Sequence, residues 1–97
     1  MSDPARIFNC LLVDDEVLAQ DLLAMHIAQM PQLRVLGRCQ TAAEAMNELR
    51  QQPVDLLFLD IHMPGITGLE LLRSLARPPL TILTTAYAQH AIDGFDL

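Results

Sequence analysis

Apolar positions along the 97 residues follow two alternating rhythms. Ile7 to Val13 (IFNCLLV) and Val54 to Leu59 (VDLLFL) are short runs, apolar except at Asn9 and Asp55. That length and near-continuous hydrophobicity predict strands covered on both faces in a parallel sheet. Leu33 to Cys39 (LRVLGRC) alternates more, which places it nearer an edge, and Leu80 to Thr84 (LTILT) is a fourth strand. Between them the period becomes helical. Glu16 to Met30 carries Leu18, Leu22, Leu23, Met25, Ile27 and Met30 as a broad apolar stripe, with Asp14 or Asp15 as its cap, and Pro31 ends it. Thr41-Ala-Ala-Glu44 reads as a capping box that opens a second helix with Ala45, Met46 and Leu49 on one face, closed by Pro53. Pro64 to Gly68 punctuates a loop, after which Leu69, Leu72 and Leu75/Ala76 recur at helical spacing up to Pro78-Pro79. Ala88 to Phe95 is a short fourth helix.

Strand and helix thus alternate four times with short connections, the pattern of an α/β fold built from right-handed βαβ crossovers around a parallel sheet. Right-handed crossovers put all strand carboxyl ends on one edge, where ligands of open α/β sheets bind. Asp14, Asp15, Asp60 and Thr85 are expected to converge there.

Composition narrows the class. With 52% hydrophobic residues the chain can build one domain's core. Its net charge is −6, from 12 acids against 6 bases that are all Arg, so a direct nucleic-acid contact is not expected. The start lacks a basic segment followed by a long apolar one, and no apolar run approaches the roughly 18 residues of a membrane span. A soluble cytoplasmic protein is the expectation. Cys10 and Cys39 lack metal or redox spacing and read as buried thiols, a disulfide requiring adjacent strands with facing Cβ atoms. Met25, Met30 and Met46 read as core filler, and His26 and His90 as helix-surface or half-buried groups.

Three carboxylates drawn to one small site repel one another, and a cation would relieve them. Oxygen-only ligands in small number favour a hard divalent ion, Mg²⁺ before Ca²⁺. A single acidic pair would be explained as well by a helix N-terminus. Two strands ending in Asp and a third in Thr-Thr favour a site.

Leu12-Val13-Asp14-Asp15-Glu16, Leu59-Asp60-Ile61-His62-Met63-Pro64-Gly65 with Gly68, and Thr84-Thr85-Ala86 resemble the three signature loops of the response-regulator receiver domain. The resemblance covers essentially the whole chain. It implies a flavodoxin-like doubly wound sheet of order 2-1-3-4, and a signalling receiver rather than an enzyme. On the same resemblance Asp60 accepts a phosphoryl group from a histidine kinase. Mg²⁺ is held by Asp15, Asp60 and the backbone carbonyl of His62, Asp14 acts through metal-bound water, and Thr85 is the switch hydroxyl. Thr85-Ala-Tyr-Ala-Gln-His-Ala-Ile-Asp-Gly-Phe95 is similar to a segment of LytTR-type transcriptional regulators, implying a C-terminal DNA-binding output domain beyond this chain. The family's fifth strand, with its Lys-Pro pair, and fifth helix would lie beyond Leu97. Residues 1–97 therefore read as a receiver domain without its fifth βα unit, with strand 4 as an open apolar edge and a homodimer joined near Leu80 to Leu97.

Two rival readings share the Asp60 loop. Asp60-x-His62-x-x-Gly65 matches the cobalt-ligating element of cobalamin-binding domains, although the downstream Ser-x-Leu and Gly-Gly of that family are missing. A metal-dependent phosphatase with Asp60 as nucleophile is the other, with His62 at the position of the general acid.

Overall fold

Four strands pair in one sheet, and the computed structural model describes residues 6–84 of the chain. The elements are β1 (Phe8–Val13), α1 (Val17–Ala28), β2 (Leu33–Cys39), α2 (Ala42–Gln51), β3 (Leu56–Asp60), α3 (Gly68–Ser74) and β4 (Leu80–Thr84). All strand pairs are parallel and the order is β2-β1-β3-β4, the doubly wound arrangement expected from the sequence. Thr85, His90 and the expected fourth helix lie outside the described residues.

Alternation along β1 and β3 divides the core into two layers. Leu11, Val13, Leu57 and Leu59 face α2 and α3, where they meet Ala45, Met63 and Leu71. Cys10, Leu12 and Phe58 face α1 and meet Ile27, with Leu23 and Ala24 packed against them. The two cysteines are buried thiols in different layers, Cys10 with α1 and Cys39 with α2 and α3, so adjacency of β1 and β2 brings no disulfide. Burial pushes the Cys39 thiol up to about 11, helped by the carboxylates of Glu44 and Glu48, which keeps it protonated and unreactive.

Several local expectations are corrected. β3 starts at Leu56 rather than Val54, because Asp55 bonds Asn9 at the strand's entry: its carboxylate accepts the Asn9 N–H at 2.8 Å and its own N–H donates to the Asn9 carbonyl at 2.8 Å. In α1 the expected stripe is only partly buried. Ile27 is in the core with Leu23 packed beside it, but Leu18, Leu22, Met25 and Met30 are 81%, 58%, 65% and 50% exposed, and the helix also buries Gln20. Met25 and Met30 are therefore not core filler, whereas Met46 is half-buried against the α2 layer. The cap of α1 is Glu16, without a side-chain bond; Asp14 accepts the Glu16 N–H at 2.9 Å just before the helix begins. In α3 the fully buried residue is Leu71, not Leu69.

Capping also moved. Thr41 accepts the Glu44 N–H at 3.1 Å, but the Glu44 carboxylate takes the Thr41 hydroxyl instead of its N–H, so the box is half made. The complete box is Thr67-Gly-Leu-Glu70, which fits the same sequence signature and opens α3.

Leu71→Ala should lower stability by about 2–5 kcal/mol, since it empties a fully buried site between α3 and the sheet. Leu18→Ala should change it by less than about 0.5 kcal/mol, as expected for an exposed helix position. Urea unfolding of the two variants checks the phase of α1 against that of α3; a large loss for Leu18→Ala would restore the stripe expected from sequence.

Candidate functional site

Parallel pairing of β1 with β3 sets Val13 against Leu59, so Asp14 leaves β1 at the level where Asp60 ends β3. Asp15 follows in the same turn. One carboxylate oxygen from each of Asp14, Asp15 and Asp60 lies within 4.8 Å of the others, so the structure brings these three site residues together. Asp60 is 7% exposed, while Asp14 and Asp15 are half-buried. Beside them an open cleft of about 250 Å³ runs along α1, past Leu22, Leu23 and His26, and reaches Thr84 on β4.

Electrostatics follow from this crowding. Burial pushes the Asp60 carboxyl up to about 6; the His62 N–H, donating to Oδ1 at 3.2 Å, pulls it back, and the charges of Asp14 and Asp15 raise it further. Near neutral pH the carboxylate form predominates, held beside two like charges. Such a set fits a small divalent ion: octahedral oxygen ligands at about 2.1 Å lie roughly 3–4 Å apart, close to what these side chains already offer.

The loop after β3 holds Asp60 from behind. Gly65 has φ +80, a left-handed turn suited to glycine, and Gly68 opens α3 against the Asp60 backbone. A Cβ at Gly68 would stand 2.3 Å from the Asp60 carbonyl oxygen, so only glycine lets α3 start this close. The Gly68 N–H donates to the Ile61 carbonyl at 3.1 Å, and the Ile61 N–H donates to the Thr84 carbonyl at 3.2 Å. The Asp60 loop is thereby tied to both α3 and β4. His62 is exposed and contributes its backbone N–H to Asp60. Thr85 lies outside the described residues, one position beyond the Thr84 that closes this tie.

Sequence reasoning overlooked Gln20. It is the one buried polar residue besides Asp60 among the described residues, at 3% exposure. A lone Gln within an apolar helix carries no motif, and only the packed structure shows what its amide reaches.

The response regulator receiver domain family matches residues 10–95. The sensory transduction protein LytT of Enterococcus faecalis is 40% identical over 92 residues, spanning 92% of this chain and 38% of LytT. The transcriptional regulatory protein BtsR of Escherichia coli K12 is 35% identical over 92 residues, spanning 93% of this chain and 38% of BtsR. The chain thus spans about two fifths of the length of the curated relatives it matches. Among solved structures, a chain in the crystal structure of the P1 domain of CheA3 in complex with CheY6 from R. sphaeroides superposes with TM-score 0.77. It is 30% identical, over 94% of this chain and 76% of that one.

The raised Asp60 pKa has a defined sign. A carboxyl ionising near 6 when folded and near 4 when unfolded favours folding when protonated, and that contribution is lost as pH rises through 6. Asp60→Asn keeps an acceptor for the His62 N–H and removes the charge, so in the metal-free protein at pH 7 it should stabilise by roughly 2–3 kcal/mol. The gain should fade by about pH 4, where the wild-type carboxyl is itself protonated in the folded state. Denaturant titrations in EDTA at the two pH values measure this; a variant less stable than wild type at pH 7 contradicts it.

Proposed function

The chain belongs to the response regulator receiver domain family, and we propose that it takes a phosphoryl group from a histidine kinase onto Asp60 and so switches a downstream output. The observation that carries this reading is the convergence of Asp14, Asp15 and Asp60 at the carboxyl ends of β1 and β3. A carboxylate oxygen of Asp60 attacks the phosphorus of the phosphohistidine, the P–N bond breaks, and its electron pair stays on the imidazole, which then takes up a proton. An acyl phosphate on Asp60 is the product.

Asp15, Asp60 and the His62 backbone carbonyl would hold Mg²⁺, with Asp14 reaching it through water. When bound, the ion supplies neutralising charge for the phosphoryl oxygens. The remaining contribution of the chain is positioning. The His62 N–H donates to Oδ1 of Asp60 and so holds the carboxylate that lines the cleft. The cobalamin reading of the same loop leaves Asp14 and Asp15 without a role, and the phosphatase reading leaves the receiver signature across three loops unexplained.

Leu22 lines the acidic cleft, and with the exposed Leu18 and Met25 on the same helix it suits the face of a donor helix bearing the phosphohistidine. Likeness to a chain in the complex of the CheA3 P1 domain with CheY6 supports a histidine kinase as the partner class. Thr85 is proposed as the hydroxyl that turns toward the phosphoryl group, its position coupled to Asp60 through the Thr84–Ile61 hydrogen bond. Similarity to LytT and BtsR supports a transcriptional output carried by other parts of such a protein. On β4, Leu80, Ile82 and Leu83 are 75%, 45% and 43% exposed, which favours this edge as the surface where two copies associate.

Two measurements test the reading. Saturating Mg²⁺ should shift the backbone amide resonances of Ile61 and His62, and Asp60→Asn should weaken the effect at least tenfold. A small phosphodonor such as acetyl phosphate should label the protein only when Mg²⁺ is present and only at Asp60. Labelling that persists in Asp60→Asn, or that is indifferent to EDTA, would falsify the assignment.

A further inference from the structure

Gln20 lies on the buried face of α1, where the sequence pattern leads one to expect an apolar residue. Its carboxamide is fully engaged. Nε2 donates to the Asp14 carbonyl at 2.7 Å and to the Cys39 carbonyl at 2.6 Å, and Oε1 accepts from Arg38 Nε at 2.9 Å. Arg38 is itself fixed on the other side by Asp21 and by the Val17 carbonyl at 3.4 Å. With two carbonyls on one end and a guanidinium on the other, the amide has a single satisfied orientation. A flipped amide would set an oxygen against two carbonyls and an NH₂ against a cation.

The two carbonyls that Gln20 joins close the ends of β1 and β2. The Cys39 carbonyl also accepts the Asp14 N–H at 3.0 Å, so Asp14 is gripped at both its N–H and its C=O. Beyond that grip the chain must turn at once into α1, whose N-cap makes no side-chain bond of its own. The grip on Asp14 therefore sets where its carboxylate points and where the next peptide, carrying Asp15, begins.

We propose that Gln20 is the positioning residue of the acidic site: its amide, oriented by Arg38 and Asp21, fixes the backbone from which Asp14 and Asp15 reach toward Asp60. This inference rests on the reading of that site as a divalent-ion site. Gln20 touches neither the carboxylates nor a reacting atom. It acts through the Asp14 carbonyl, as groups outside the ligand sphere of metal sites commonly do, where their removal costs about 10–100-fold in metal affinity.

The experiment compares Mg²⁺ affinity in the 97-residue chain and its variants, measured by amide chemical shifts at a temperature where each is folded. Q20M keeps the volume and loses every hydrogen bond. Q20E keeps length and the Arg38 contact while losing both donors, so it carries the test if Q20M does not fold. Each should weaken Mg²⁺ binding about tenfold and shift the Asp14 and Asp15 amides in the metal-free protein. Leu71→Ala, a core truncation in the other layer, serves as the control for lost stability and should leave Mg²⁺ affinity within about twofold. Folded Q20M or Q20E that binds Mg²⁺ as tightly as wild type would overturn the positioning role and leave the site reading intact. A wild-type chain that takes up no Mg²⁺ would overturn the site reading itself, and this inference with it.

Discussion

Everything in the site depends on the parallel register between β1 and β3. With Val13 beside Leu59, the first residue past one strand and the last residue of its neighbour are both carboxylates, and they meet without any side chain being strained toward the other. The energy that holds them together comes from elsewhere. Leu11, Leu12, Val13, Leu57 and Leu59 are essentially removed from water, and that burial stabilises the pairing. The apolar interior of two strands thus supports an electrostatically unfavourable end, and the imbalance shows as the raised pKa of Asp60.

Around that end, three backbone ties keep the loops from relaxing the repulsion by moving apart. The Gln20 amide and the Cys39 carbonyl grip Asp14. Gly68 lets α3 begin against the Asp60 carbonyl, and a complete capping box at Thr67 and Glu70 fixes the start of that helix. The Ile61 N–H reaches the Thr84 carbonyl, linking the Asp60 loop to β4. Each tie uses a backbone group at the end of an element, where hydrogen-bonding capacity is otherwise unmet. Carboxylates held apart by flexible loops would separate and lose the preorganisation that a phosphoryl acceptor needs.

Two surfaces remain apolar and open among the described residues, one along α1 beside the cleft and one along β4. Their positions differ in consequence. The α1 surface shares its cleft with Asp60, and the β4 edge is bonded to the Asp60 loop through Thr84. On the proposed reading, donor docking along α1 and association along β4 would use separate faces of the same small sheet.

Sequence alone determined the parallel sheet and the meeting of Asp14, Asp15 and Asp60, because those follow from strand periodicity, from right-handed crossovers and from the residue types at the strand ends, while the strand order came from the resemblance of the three loops to the receiver family. Local signals also carried the ends of α2 and the edge position of β2. Tertiary structure decided the rotation of α1. Its sequence, VLAQDLLAMHIA, is apolar nearly all round, so one face with Leu18, Leu22 and Met25 and another with Leu23, Ala24 and Ile27 were both plausible cores. Periodicity does not choose between them, and the stripe read from sequence took in residues of both. The fold buries the face that carries Gln20, whose amide reaches the Asp14 carbonyl just past β1 and, 18 to 19 residues away in β2, Arg38 and the Cys39 carbonyl, partners that no helical pattern can register. The phase of α3 was settled in the same manner: contact of Gly68 with the Asp60 backbone turns Leu71 inward, and a close approach between backbones leaves no trace in hydrophobic spacing.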